Sequence, residues 1–292
     1  MAENGNNIEL FKKYTERLDR VYKAEAKTAV LDSPDALVSL TNANEFKVPK
    51  MDMDGLADYD RKSGYKVGTV TLDFETKKPD YDRARKFRVE EMDNEESAGI
   101  AFGSLAAEFI RTKVVPEMDA YRFAKLVSKA GTVDTTAAAD GAAILALLNA
   151  ANAAMDEKEV PAEGRILFIT PTYFSLANSV DTHKDKAVLD TFASVAKVPQ
   201  TRFYTKISLN DGSTTGQEKG GFAKAGDALK INFMIVSKAA VIQATKHRVN
   251  KIIDPKSNQD GDFWDFFYRA YAISDAYDNK KDGIFVNTEK GA

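Results

Sequence analysis

A chain of 292 residues with 43% hydrophobic side chains can build a core for one large domain or two small ones, and it is globular, not disordered. With no cysteine it excludes thiolate nucleophiles, zinc–cysteine sites, haem attachment and disulfide staples, and it fits a reducing compartment. A net charge of -3, from 41 basic and 44 acidic residues, argues against a protein whose main task is gripping phosphate backbones.

The N-terminal MAENGNNIELFKKYTERL lacks the apolar core of an export signal, and no apolar run approaches the roughly 20 residues that span a bilayer. No membrane partner is expected. Residues 7–31 place Ile8, Phe11, Leu18, Val21 and Tyr22 at helical spacing among charges, predicting an amphipathic segment without a core of its own. From Tyr65 to Glu91 the β-formers Val67, Val70, Leu72 and Phe74, a turn at KKPDYD, then Phe87 and Val89 predict a long two-stranded ribbon. Such a ribbon is marginal alone in water and needs a partner surface. Residues 94–129 predict a helix that Pro116 must kink or restart, with Gly131 as a stop.

The middle, 132–243, predicts α/β structure. Ile144, Leu147, Leu148, Ala151 and Met155 form an apolar helical stripe, RILFIT is a buried strand, and Thr170 with Pro171 opens the next helix. KINFMIVS repeats the scheme, with Ser237 capping a short helix through Gln243, and NDGSTTGQEKGGFAKAGD between them predicts a mobile surface loop. At the end, HRVNKIID, DFWDFFYRAYAIS and GIFVN predict a C-terminal sheet, in which the aromatic run serves core or subunit contact and not base stacking.

The densest charge, RKFRVEEMDNEES, places Glu90, Glu91, Asp93, Glu95 and Glu96 directly after a basic run. Carboxylates can ligate a hard cation, but no glycine turn gathers these around one point. Capping a helix from Asp93 or Asn94 and complementing its dipole explains them better. MDMDGLADYD and NQDGDFWD lack the D-x-D-x-D-G order of a calcium loop, and GSTTGQEKGG lacks the order of a phosphate-binding loop. His183 and His247, the only histidines, sit in lysine-bearing polar segments with no nucleophile elbow anywhere in the chain. No catalytic residue, cofactor or metal site is expected, and the chain is not expected to be an enzyme.

Taken in order, LDFETKKPDYDRARKFRVEEMDNEES, FIRTKVVPEMDAYRFAKL, RILFITPTYFSLA, VAKVPQTRFYTKI, INFMIVSKAAVIQATKHRVNKIIDP and DFWDFFYRAYAISDAYDNKKDGIFV resemble the major capsid proteins of tailed phages with the HK97-type fold. The resemblance implies an α+β capsid fold: an N-terminal arm at 1–45, an E-loop at 46–92, a P-domain with spine helix at 93–130 and 240–292, and an A-domain at 131–239. It implies self-assembly, through hexameric and pentameric capsomers, into an icosahedral head enclosing double-stranded DNA held without sequence-specific contacts. The implied location is the virion, after assembly in the host cytoplasm. With the arm beginning almost at Met1, the implied scaffolding protein is a separate chain, as is the portal. Arg83, Arg85, Lys86 and Arg88, with Glu90, Glu91, Asp93, Glu95 and Glu96, are then expected as intersubunit contacts. An encapsulin-like compartment for protein cargo and a soluble α/β enzyme are the alternatives.

Overall fold

The computed structural model describes residues 26–33, 40–41, 45–96, 105–180 and 187–291. The amphipathic stripe from Ile8 to Tyr22 and His183 lie outside them. Along the chain, β1 (Leu40–Thr41), β2 (Glu45–Met53) and β3 (Val70–Lys77) precede β4 (Tyr81–Glu90), which runs directly into α1 (Glu91–Glu96). Next come α2 (Leu105–Phe109), a π-helical turn (Ile110–Val114), α3 (Val115–Ser128), β5 (Thr132–Asp134) and α4 (Gly141–Asp156). Then follow β6 (Arg165–Ile169), α5 (Pro171–Asn178), β7 (Ser194–Lys197), β8 (Ile207–Leu209), β9 (Phe222–Lys224) and β10 (Ile231–Ser237). Two long strands, β11 (Val241–Ile253) and β12 (Phe263–Ala276), and then β13 (Ile284–Thr288) complete the set.

One module is a three-layer sandwich around the sheet β5-β13-β10-β6-β7. Alternation along β6 sends Leu167 and Ile169 to one side, where Ile144, Leu145, Leu148 and Met155 of α4 cover them. Ile166 and Phe168 face the other side and meet Phe123 and Leu126 of α3. Asp140 caps α4 by accepting from the Ala143 amide at 2.8 Å. Gly141 lets α5 approach, since a Cβ there would lie 2.1 Å from the Leu176 carbonyl oxygen. Thr170 occupies the predicted N-cap of α5 with Pro171 behind it, though its side chain makes no capping bond. Ser237 is followed by a single 3-10 turn, Lys238–Ala240, and residues 241–243 are already strand. The apolar side chains of Val241 and Ile242 are buried there, which a short surface helix would not achieve.

A second module lays the sheet β11-β12-β4 across the rod formed by α2, the π turn and α3. Pro116 explains the π turn: it has no N–H for the Thr112 carbonyl, and the ladder widens just before it without losing helical dihedrals. Two pairings differ from the sequence expectation. Residues 81–90 do not fold back on β3. They pair antiparallel with β12, Phe87 opposite Phe266 and Trp264 opposite Val89, because Tyr81, Phe87 and Val89 find the apolar face of the rod there. GIFVN leaves the C-terminal sheet altogether, and β13 sits between β10 and β5 in the sandwich.

The two modules meet at Asp119 of α3, which is fully buried. Its carboxylate accepts from the amides of Lys27 and Thr28, both at 3.0 Å, from the Thr28 hydroxyl at 2.6 Å and from Arg202 Nη1 at 3.0 Å. One turn on, buried Arg122 donates to Thr28 Oγ1 at 3.1 Å and pairs with Asp32 at 3.1 Å, while Gln243 Nε2 donates to the Thr28 carbonyl at 2.8 Å. The 3-10 turn Lys27–Leu31, short of hydrogen bonds of its own, is thereby held on the rod.

Asp119→Ala leaves Arg202 unpaired and strands two amides, a loss of about 3–5 kcal/mol for a broken buried pair. A lower urea midpoint with an unchanged slope is the expected result.

Candidate functional site

Among the described residues, β3 pairs antiparallel with β2, Met51 opposite Leu72 and Met53 opposite Val70, so the ribbon exists but with β2 as its second strand. Directly opposed residues share a face. One face therefore carries Met51, Met53, Val70, Leu72 and Phe74; the other carries Lys50, Asp52, Thr71, Asp73 and Glu75. The apolar face is bare: Leu72 is 51% and Phe74 59% exposed. Beyond it, the tip from Asp54 to Thr69 is held by the Thr69 amide donating to Asp54 and by a bridge between Asp60 and Gly64, and it exposes Leu56, Tyr59, Tyr65 and Val67. MDMDGLADYD thus supplies the outer limb and tip of the ribbon.

The root is clamped by Lys77, whose side chain is only 7% exposed. It pairs with Glu75, with Asp275 of β12 at 3.4 Å and with Asp278 beyond β12 at 3.5 Å. Burial works against its charge, but these three carboxylates outweigh that and raise its pKa.

The basic run of β4 is engaged within its own chain. Arg83 donates to Glu117 of α3 at 2.8 Å, alongside the Tyr81 hydroxyl at 3.0 Å, and to the Gly221 carbonyl at 3.2 Å. Arg85 Nη2 reaches the Glu218 carbonyl at 3.4 Å. Arg88 forks onto Asp265 at 2.8 and 2.9 Å, with Asp260 at 2.8 Å, and Lys86 meets the same Asp265 at 2.9 Å. Asp265 is 2% exposed, and Asn258 of NQDGDFWD closes its last side at 3.0 Å. The Arg88 fork above all, then Lys86 and Asn258, hold the Asp265 carboxyl well below the usual carboxylate range.

The acidic half begins α1. Glu90, not Asp93 or Asn94, does the capping, its carboxylate accepting the Asp93 amide at 3.2 Å; Glu91 and Asp93 fall in the first turn. Glu91 also accepts from the indole N–H of Trp264, while Glu95 is exposed. Nothing gathers these acids around a cation: among the described residues no three His, Asp or Glu side chains form a metal-holding group. The exposed ring of His247 stands on the outer side of β11, opposite Tyr271. The glycine-rich loop lies at the surface, as expected, and is tied by turns of its own. Asp211 accepts from the Ser213 and Thr214 amides, both at 2.9 Å, and the hairpin of β8 and β9 packs Ile207 and Leu209 onto the rod's core.

The apolar face of the ribbon was legible in part, since Val70, Leu72 and Phe74 alternate in VTLDFE. Its partner strand was not, because EFKVPKMDM carries a central proline and a mixed pattern.

No family model and no curated protein sequence matches the chain. Solved structures do. A structure from Mycobacterium phage Che8 superposes with a TM-score of 0.60 at 15% identity, covering 90% of each chain. The capsid of cyanophage P-SCSP1u gives 0.58 at 13% identity, covering 90% of this chain and 87% of that one. A virus-like particle from Pyrococcus furiosus gives 0.54 at 12% identity, covering 94% and 99%. The chain has the α+β, HK97-type fold of such capsid proteins.

A carboxyl depressed in the folded state stabilises above the unfolded-state pKa, and that contribution drains as pH falls through the folded value. Asp265 thus contributes fully above pH ~4 and loses its share on acidification below it. Asp265→Asn is expected to be less stable than wild type at pH 7, with the two converging in urea melts taken towards pH ~2.

Proposed function

We propose that the chain is a major capsid protein that assembles with copies of itself into an icosahedral shell around double-stranded phage DNA. The observation that carries this is the ribbon: two strands with five apolar side chains on one face and nothing from the described residues of their own chain over them. A lone two-stranded ribbon has marginal stability in water. Covering Met51, Met53, Val70, Leu72 and Phe74 returns roughly 1.5–3 kcal/mol for each side chain fully buried. A second copy of the chain is the occupant that repeats without limit, and head-to-tail contacts of this kind close into rings. The fold likeness to capsid structures supports the same reading.

In this reading residues 1–45 are the arm, 46–92 the E-loop, 93–130 and 240–292 the P-domain and 131–239 the A-domain; β4, within the E-loop range, pairs with β12, and β13, within the P-domain range, pairs with β10 and β5. Capsomers of six and five copies, a separate scaffold and portal, sequence-independent DNA contents, assembly in the host cytoplasm and residence in the virion belong to it. So does the absence of catalysis. The exposed side chains at the ribbon base, Arg85 and Glu95 among them, remain available to a neighbour. The likeness to the Pyrococcus furiosus particle favours a second reading, a compartment around protein cargo. The contents of purified shells, nucleic acid or protein, separate the two.

Leu72→Asp/Phe74→Asp places charge on the bare face without touching either core. Expected is a chain with wild-type circular dichroism that sediments as a monomer, where wild type forms shells visible by negative-stain microscopy. Shells of normal yield from the double variant would sink the proposal.

A further inference from the structure

Gln243 of β11 is fully buried and joins three segments of the chain. Its backbone amide donates to Ser33 Oγ at 3.1 Å and its carbonyl accepts the Ser33 amide at 2.9 Å. Its side-chain Nε2 donates to the Thr28 carbonyl at 2.8 Å and to Asp32 Oδ1 at 2.9 Å. Both partners of Nε2 are acceptors, so the amide cannot be turned over, and Oε1 is left as an acceptor in need of a donor. That oxygen is buried, and no group of the chain bonds to it.

Directly opposite Gln243 in the pairing of β11 with β12 is Ser274, 3% exposed, whose hydroxyl likewise has no partner. Opposed residues of an antiparallel pair share a face, with Cβ atoms about 4.5–5.5 Å apart. This face is turned to the rod, since Ser274 is in step along β12 with Ala270 and Ala272 of the rod's core. Its neighbours on that face, Ala272 and Ala276, are buried and small, so β12 offers a shallow recess beside the longer Gln243 side chain. Two orphaned polar atoms thus meet one recess, and they are not bonded to each other. Each is costly to bury unpaired.

We propose that this recess is a binding site for one water molecule, which donates to Gln243 Oε1 and accepts from the Ser274 hydroxyl. Water supplies the donor that Oε1 lacks and adds no charge. The charges nearby are already matched, Arg122 pairing with Asp32 and donating to Thr28 Oγ1, so a neutral ligand suits the seam. Buried waters serve groups of this kind in folded proteins, holding two to four polar partners each. The consequence is mechanical. With the water in place, Thr28, Asp32 and Ser33 are fastened through Gln243 to both long strands and not to β11 alone. The seam lies within one chain, and the inference stands independently of the assembly reading.

An experimental map of the full chain, free or in a shell and sharp enough to show ordered solvent, tests this directly. Expected is an isolated solvent peak within about 3.2 Å of both Gln243 Oε1 and Ser274 Oγ. Ser274→Ala gives a second, independent reading. With the water bound, the substitution removes one of its partners, and the folding equilibrium constant from urea melts is expected to fall roughly three- to tenfold with unchanged circular dichroism. In a dry recess the same substitution only removes an unpaired hydroxyl, and stability stays level or rises. A map without the peak, a direct hydrogen bond between Ser274 and Gln243 in its place, or a Ser274→Ala chain at least as stable as wild type overturns the inference.

Discussion

The buried carboxylate of Asp119 is the constraint on which the arrangement of the chain depends. It sits midway along the rod, between a core shared with β4 and β12 and a core shared with β6 and β10, and it is the point at which three separate segments meet. An ion in that position is costly unless every lone pair is occupied, and here four donors from Lys27, Thr28 and Arg202 occupy them. Once they do, the turn at 27–31 cannot leave the rod without uncovering charge. The beginning of the described chain, the rod and the connection between β7 and β8 are therefore one mechanical unit.

From that unit the ribbon projects on its own terms. Its root is fixed by Lys77 among three carboxylates, an arrangement stiff enough to aim the ribbon but peripheral to either core. Beyond the root no side chain among the described residues covers its apolar face. In the proposed assembly an uncovered apolar ribbon is completed by a neighbouring copy, and in that reading stability and assembly are linked quantities. The charges at the ribbon's base belong to the same division of labour. Arg88, Lys86 and Asp265 fasten β4 to β12 from the open side of the sheet, while Tyr81, Arg83 and Glu117 fasten it to α3 from the other.

Much of the order of elements was visible in the residues. The stripe on α4, the buried run of β6, the proline at the start of α5 and the interrupted rod at Pro116 each carry a local signal of period, cap or missing donor. What was misjudged was pairing. KKPDYD has the composition of a hairpin turn, yet the chain uses it as a corner between two sheets, since Phe87 and Val89 gain more against the rod than β4 would gain against an exposed β3. GIFVN reads as a neighbour of the preceding strand, but its residues, buried on both faces, suit the interior of the sandwich. The acidic cluster followed the same pattern: its place at a strand-to-helix junction was legible, and the capping residue, Glu90, lies three positions before Asp93, the nearer of the two expected caps.

By itself the sequence determined the local pieces, because helical stripes, strand alternation, caps and the absence of cysteine are properties of neighbours along the chain. It also determined that something would be left uncovered, through a ribbon with alternating Val70, Leu72 and Phe74 and no core beside it. Only the tertiary structure decided which strand would share that ribbon, which face of it would be bare, and that Asp119 would bind segments more than 80 residues away. These outcomes turn on contacts between distant residues, where register and burial are won in competition among several possible partners, and no window of sequence contains all the competitors.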